Sequence, residues 1–393
     1  MKEPLNILVL QGGGALGAYQ AGVYESLAAH HAEPQWVVGT SIGAINAAII
    51  AGNRPADRVE KLHQFWDLVA QPAPSFAPGT PDSGSMMEAF GLGAAPLTGL
   101  LNPWVHKSQE WQTLVHGIDG FFLPRPGVLW RGLETEVAPG EASFYDTAPL
   151  AQTLHELVDF DYLNNGPVRF TAVAVNVATG RPRHFDSLRD GNPITAEHVM
   201  ASGALPPGFP PVQIDGQWYW DGGLSTNTPL DVVLQDSERR DMLCFMIDLW
   251  DDTEPVPRSL AEVMTREKTV RFASRSYELL QSHALRQDLR RAVRLLSEEL
   301  ERCGKSNTHI KHLAELGCGS RINVVRLVMK ALRDDDQMKD IDFRRRTLAE
   351  RWHAGRSDGD RALQRKDWLR TLPPDTGLAI HELEQVEDHS ATV

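Results

Sequence analysis

The stretch "LVLQGGGALGAYQAGV", Leu8 to Val23, is an apolar strand pattern running into glycines and then into a helical pattern. Gly12, Gly14 and Gly17 spell G-x-G-x-x-G, the spacing of a dinucleotide-binding turn. A glycine-rich loop after a first strand can instead aim backbone N–H groups at an oxyanion. Upstream, "LNILVL" at residues 5–10 is the continuous apolar run of a strand buried on both faces. Downstream, "QWVVGTSIGAINAAIIAGN" repeats the pattern as a second strand, a tight turn and a second helix that ends near Gly52-Asn53. Strand, helix, strand, helix within the first fifty residues implies a right-handed parallel unit and hence an α/β fold.

The 393 residues suffice for one large core, or for one core and a smaller domain. With 42% hydrophobic and 23% charged residues the chain has the composition of a globular protein. A formal net charge of −13 argues against a nucleic-acid partner, yet leaves room for a local patch that touches a membrane. The three cysteines are Cys244, Cys303 and Cys318. Cys244, in "MLCFMIDLW", reads as a buried free thiol, and the other two are too far apart for a C-x-x-C pair. A reducing, cytoplasmic setting is expected. The N-terminal apolar run is too short for a signal peptide, and no stretch approaches the ~18 apolar residues of a spanning helix.

From about Gln71 to Gly127 the sequence is rich in Pro and Gly but carries Met86, Met87, Phe90, Leu92 and Leu97. It reads either as a surface excursion packed on the core or as a mobile apolar flap over an active site. Strands resume at "VRFTAVAVNVATG" (Val168–Gly180) and "LCFMIDLW". A composition shift near residue 255 divides a domain at 1–255 from an extension at 256–393. The extension is expected to hold one or two long Arg- and Glu-rich helices from about Ser259 to Leu300, a short strand "RINVVRLVM" and a charged helix containing "DFRRRTLAERW".

The pentapeptide "GTSIG", Gly39 to Gly43, lies between a strand and a helix, the context that a nucleophile elbow needs. Ser41 is then exposed on a sharp turn at a helix N-terminus; the plainer alternative is a serine N-cap on an ordinary βα turn. Among the fourteen histidines, His184 and His198 are the candidates for its base, but neither has the glycine context of a site. Asp221 differs. It follows the aromatic strand "WYW" and precedes Gly222-Gly223, so the chain can turn sharply and bring a carboxylate close to other backbone.

The set "QGGGALGAYQAGV", "GTSIG" and "DGG", together with "ASGALPPGFPPVQIDGQWYWDGG", resembles the patatin-like phospholipases over roughly residues 5–250. That resemblance implies a three-layer α/β/α core with a mostly parallel sheet, followed by a mainly helical extension like that attached to some bacterial members. It further implies a Ser41–Asp221 catalytic dyad, an oxyanion held by the amides of Gly12, Gly13 and Gly14, and no cofactor or metal. Gly17, Gly39, Gly43, Gly222 and Gly223 complete the motifs. Where the family carries a basic residue after G-G-G-x, this chain has Leu16, so a preference for phosphate-bearing substrates is in doubt.

The residues themselves also bear on the opening choice. A dinucleotide turn wants an acidic residue at the end of the second strand, and here that strand ends in Gly39-Thr40-Ser41. The glycines are therefore read as an oxyanion loop. The expected reaction is acyl transfer from a lipid or other acyl ester to water through an acyl-serine, with Trp218, Tyr219 and Trp220 helping to desolvate Asp221. Two alternatives stand beside it: an esterase or thioesterase on soluble acyl esters, and a non-catalytic lipid sensor.

Overall fold

The computed structural model describes residues 4–71, 116–127, 134–236, 240–273, 276–305, 307–332, 335–365, 368 and 372–383. Of the insertion read above as excursion or flap, residues 72–115, with Met86, Met87, Phe90, Leu92 and Leu97, lie outside the described residues.

The two opening units fold as their pattern requires. β1 (Leu5–Leu10) leads through a 3₁₀ turn (Gly14–Gly17) into α1 (Ala18–Ala29), and β2 (Trp36–Thr40) leads into α2 (Ile42–Ala51). Then follow α3 (Arg58–Leu68), the short antiparallel pair β3 (Leu123–Pro124) and β4 (Tyr145–Asp146), α4 (Ala148–Leu157) and α5 (Phe160–Asn165). β5 (Arg169–Asn176), β6 (Pro182–Asp186), α6 (Ala196–Ser202), β7 (Val212–Ile214), β8 (Gln217–Asp221), α7 (Leu230–Leu234) and β9 (Met242–Asp248) complete the first 250 residues. After them come α8 (Leu260–Ala273), α9 (Ser276–Arg302), α10 (Thr308–Ala314), β10 (Ile322–Val328), α11 (Arg345–Arg365) and β11 (Leu378–Glu382).

The main sheet runs β11-β10-β9-β1-β2-β5-β8-β7, with β6 also paired to β5. Every pair from β11 through to β5 is parallel, whereas β5–β6, β5–β8 and β7–β8 are antiparallel. Alternate residues of the central strands feed two cores. Leu8 and Leu10 of β1 pack with Tyr19, Ile45, Phe65 and Trp352 from α1, α2, α3 and α11, while Leu5, Ile7 and Val9 pack with Leu230, Val233 and Leu280 from α7 and α9. Period-2 alternation thus serves a sheet covered on both sides, the three-layer α/β/α arrangement expected from the sequence.

The residues after 255 do not form a separate layer. β10 extends the sheet beside β9, register Ile322↔Met242 to Val328↔Asp248, and β11 pairs with β10 in turn. Arg326 of β10 is buried and reaches Asp248 at 2.8 Å, Asp252 at 3.1 Å and Glu382 at 2.9 Å, which joins three strands through one guanidinium.

α11 lies directly on α1, and glycine is what lets it approach. A Cβ on Gly22 would fall 2.0 Å from the Trp352 carbonyl oxygen, and one on Gly355 would fall 2.0 Å from that of Tyr19. Polar pairs flank the crossing: Tyr19 Oη donates to Asp358 at 2.7 Å, Ser26 Oγ to Asp360 at 2.6 Å, and Trp352 Nε1 to Glu25 at 2.6 Å. Gly355→Ala is therefore expected to destabilise the protein by about 1–3 kcal/mol, because backbone has to separate to admit a methyl group. Gly319→Ala, with nothing within 4 Å, is expected to stay within about 0.5 kcal/mol of the parent. Urea midpoints of the two variants check this.

Candidate active site

Ser41 takes φ 56° and ψ −125°, an unusual backbone conformation for any residue but glycine, at the junction of β2 and α2. Its amide donates to both the carbonyl (3.1 Å) and the Oγ (3.0 Å) of Ser202, and Ser202 Oγ donates to the Val173 carbonyl at 2.6 Å. The strained turn is thus tied to the end of α6 and to β5. The two glycines of "GTSIG" permit the turn. A Cβ on Gly39 would lie 2.3 Å from the Gly43 carbonyl oxygen, and one on Gly43 would lie 2.3 Å from that of Leu10. The first turn of α2 therefore sits on the end of β1 with no side chain between.

Register brings Asp221 to this turn. β2 pairs along β5 as far as Thr40↔Val173, and antiparallel β8 pairs with the next residues of β5, Ala174↔Asp221 to Asn176↔Tyr219. Gly222 then passes where a Cβ would be 2.2 Å from the Val173 carbonyl oxygen and 3.1 Å from Thr40 Cγ2. Asp221 is 2% exposed. Burial raises its pKa to about 6, against the opposing effects of the nearby Ser41 hydroxyl and of a hydrogen bond from the Gly223 N–H at 2.7 Å to Oδ1. Of the three aromatic neighbours expected to desolvate it, Tyr219 is buried and Trp218 and Trp220 are half-buried.

The glycine loop lies against the same turn. A Cβ on Gly12 would be 3.2 Å from Ser41 Cβ, and Gly14 has φ +56°. The three amides named from the sequence are not equivalent. The Gly12 N–H donates to the Asn227 carbonyl at 3.2 Å, whereas among the described residues the N–H groups of Gly13 and Gly14 have no partner. Gly17 is not near the chemistry; a Cβ there would press on Ile42, 2.6 Å away, so it serves the packing of α1 on α2. Leu16 is fully buried in the core and is not among the residues that line the cavity described next.

Ser41, Asp221 and the Gly12–Gly14 loop open on a cavity of about 300 Å³. Its wall is largely apolar, with Phe121, Phe122, Tyr145, Leu150, Leu205, Phe209, Trp250, Phe272, Ile341 and Phe343. Phe121, Phe122, Phe209 and Phe343 form a ring cluster with centroids 5.1–6.0 Å apart. No histidine lines the cavity among the described residues. His184 lies on exposed β6, and His198 caps α6, its Nδ1 accepting from the Thr195 amide at 3.0 Å while its ring meets Phe185 edge-on at 4.7 Å. Cys244 and Cys318 are buried, Cys303 is exposed, and all three are free thiols.

Several lining residues were not singled out from the sequence. Asn227 and Trp250 hold the glycine loop, and Asp340, Ile341 and Phe343 come from far along the chain. Asn227 had a faint signal, six residues beyond Asp221 in "DGGLSTNTPL"; Phe343 had none, since only the packing of α11 against α1 carries it there.

An α/β/α sheet with a strained serine elbow beside a glycine loop defines the general class of α/β hydrolytic proteins. Comparison with known families is specific: a model described as Patatin-like phospholipase matches residues 8–234, and a second, described as Patatin phospholipase, matches residues 270–375. The chain belongs to the patatin-like phospholipase family, a family of lipid acyl hydrolases. A comparison with curated proteins returns no match. Among solved structures, VipD from Legionella pneumophila is similar at 15% identity and a TM-score of 0.38, over 92% of this chain and 67% of that one. The type III effector ExoU is similar at 14% identity and a TM-score of 0.29, over 93% of this chain and 54% of that one. Full-length ExoU with full-length SpcU, from the type III secretion system of Pseudomonas aeruginosa, gives 17% identity and a TM-score of 0.28 over 95% and 75%. Among the described residues no helix is long and apolar enough to cross a membrane.

Proposed function

We propose that the protein is a lipid acyl hydrolase in which Ser41 attacks the ester carbonyl and Asp221 accepts its proton. The observation that carries this reading is the buried Asp221 carboxylate, close enough to the Ser41 hydroxyl for that group to act on its pKa, with both residues lining one largely apolar cavity. As Ser41 Oγ bonds to the carbonyl carbon, the carbonyl π pair becomes an oxyanion facing the unpartnered N–H groups of Gly13 and Gly14. Collapse of this intermediate expels the alcohol, which takes the proton from Asp221 and leaves an acyl-serine. Water then repeats the sequence and releases the fatty acid. Gly12 has no donor role here, since its N–H is already given to Asn227.

An ordinary aspartate is a weak base for a serine; one raised to about 6 is better matched to neutral pH. Because the base must be ionised, kcat/KM is expected to rise with pH through an acid limb centred near 6, with roughly a tenth of the plateau remaining at pH 5. A limb centred near 4 is the outcome that contradicts a buried base.

The aromatic wall favours an acyl chain over a polar acid, and so favours lipid esters over small soluble ones. Labelling with a fluorophosphonate, followed by hydrolysis of long-chain phospholipid and of a short p-nitrophenyl ester, separates the readings. A lipid sensor fails to label at Ser41, and a soluble esterase prefers the short ester.

A further inference from the structure

The peptide between Gly12 and Gly13 is gripped from one side. Trp250 Nε1 donates to the Gly12 carbonyl oxygen at 2.9 Å, and Asn227 Nδ2 donates to the same oxygen at 3.2 Å. In a trans peptide the carbonyl and the following N–H point in opposite directions in one plane. Whatever fixes the Gly12 carbonyl therefore also aims the Gly13 N–H. Gly13 lines the same cavity as Ser41, and its N–H has no partner among the described residues. Resting on the hydrolase reading above, we infer that Trp250 is a positioning residue: its indole N–H holds the Gly12 carbonyl and so orients the Gly13 amide toward the oxyanion.

Trp250 is itself held. Its own amide and that of Leu249 donate to Gln11 Oε1, the former at 3.1 Å, and Gln11 is the residue before the glycines. Phe272 stacks on the indole with centroids 5.1 Å apart, and Lys339 Nζ lies 5.1 Å from the ring centroid. The indole is 2% exposed, so water does not compete for its N–H. A Cβ on Gly13 would stand 3.2 Å from Trp250 Nε1 and 2.8 Å from Leu249 Cδ1, so a side chain there would press on this contact. The loop after β9 thus fixes the loop after β1. Glycine loops are flexible, and an oxyanion donor acts only when its direction is set before the reaction.

Trp250→Phe keeps a buried ring against Phe272 but removes the N–H together with part of the indole's buried volume. Deleting an oxyanion donor outright costs about 10²–10³-fold in kcat; here the donor stays and one of its two anchors goes, so a loss of roughly 5–20-fold is expected. KM for a short p-nitrophenyl ester should stay within about twofold, since the ground-state ester carries no oxyanion. Inhibition by an acyl trifluoromethyl ketone should weaken in step with kcat. Its adduct forms when Ser41 Oγ bonds to the ketone carbon, the carbonyl pair becomes an oxyanion and the serine proton passes to Asp221. The smaller ring leaves a void, so the melting temperature should fall by a few degrees while KM holds. Asn227→Ser, which withdraws the second anchor, is measured beside it and carries the same expectation. Unchanged kcat in folded Trp250→Phe overturns the inference, as does a fall of kcat matched by an equal loss of substrate affinity, which marks ordinary packing. A wild-type protein inert toward every ester sinks the hydrolase reading instead, and this inference with it.

Discussion

Ser41→Ala is expected to lower ester hydrolysis by on the order of 10⁴–10⁶-fold with native circular dichroism retained, as for removal of other serine nucleophiles. The variant tests two things at once, because Ser41 sits at φ 56° and ψ −125°. Alanine inherits that strain and glycine does not. Ser41→Gly is thus expected to be equally inactive yet more stable than Ser41→Ala by about 1–2 kcal/mol, the size of a relieved backbone outlier. The strain persists because Ser202 holds the Ser41 amide and because the start of α2 is packed on β1 through Gly43. Full activity in Ser41→Ala would falsify the nucleophile assignment. Equal stability of the two variants removes the strain argument and leaves the assignment standing.

Asp221→Asn is expected to cost about 10²–10⁴-fold in kcat, the contribution of a general base, while the amide still accepts from the Gly223 N–H. Neither His184→Ala nor His198→Ala should approach this loss, since both side chains lie away from the cavity. The same substitution should stabilise the fold at neutral pH. Asp221 has a folded pKa of about 6, raised above its ordinary value of 3.8 mainly by burial. Below pH 4 the carboxyl is protonated in both states and contributes no difference. Between pH 4 and 6 it ionises first in the unfolded chain, so wild-type stability falls as pH rises, and above 6 the loss is complete. At ~1.4 kcal/mol per pKa unit the full gap is about 2–3 kcal/mol. Urea unfolding of both proteins at pH 4 and pH 8 reads it: near-equal change on substitution at both pH values would contradict a raised pKa. Catalytic competence and stability then pull in opposite directions at one buried carboxylate.

The family membership bears on the substrate class, and the cavity is consistent with it. Four phenylalanines cluster in the wall of the cavity that Ser41 lines, so an acyl chain entering there meets aromatic surface. One of the four, Phe343, belongs to the segment after residue 255, as do Phe272, Asp340 and Ile341. A Cβ on Gly14 would meet the Asp340 carbonyl oxygen at 2.2 Å, so this segment touches the glycine loop itself. The extension is therefore part of the site's wall.

What the sequence determined by itself is local. The apolar run at Leu5–Leu10, the glycines that follow, and the strand–turn–helix frame of "GTSIG" specify β1, α1, β2, α2 and the placing of Ser41 on a sharp turn. These signals are legible because each arises from residues within one turn or one strand: hydrophobic period, glycine at a close approach, a helix start. The two long helices near 260–302 and the strand "RINVVRLVM" were legible for the same reason. Tertiary structure decided the rest. It set β8 antiparallel to β5 so that Asp221 follows in register from Thr40, and it laid β10 and β11 along β9. It also gave the Gly12 N–H to Asn227 and the Gly12 carbonyl to Trp250, which left the amides of Gly13 and Gly14 without a partner among the described residues. No period or motif encodes such pairings. They follow from which strand edge is still open and which buried polar group still lacks a partner once the sheet has formed.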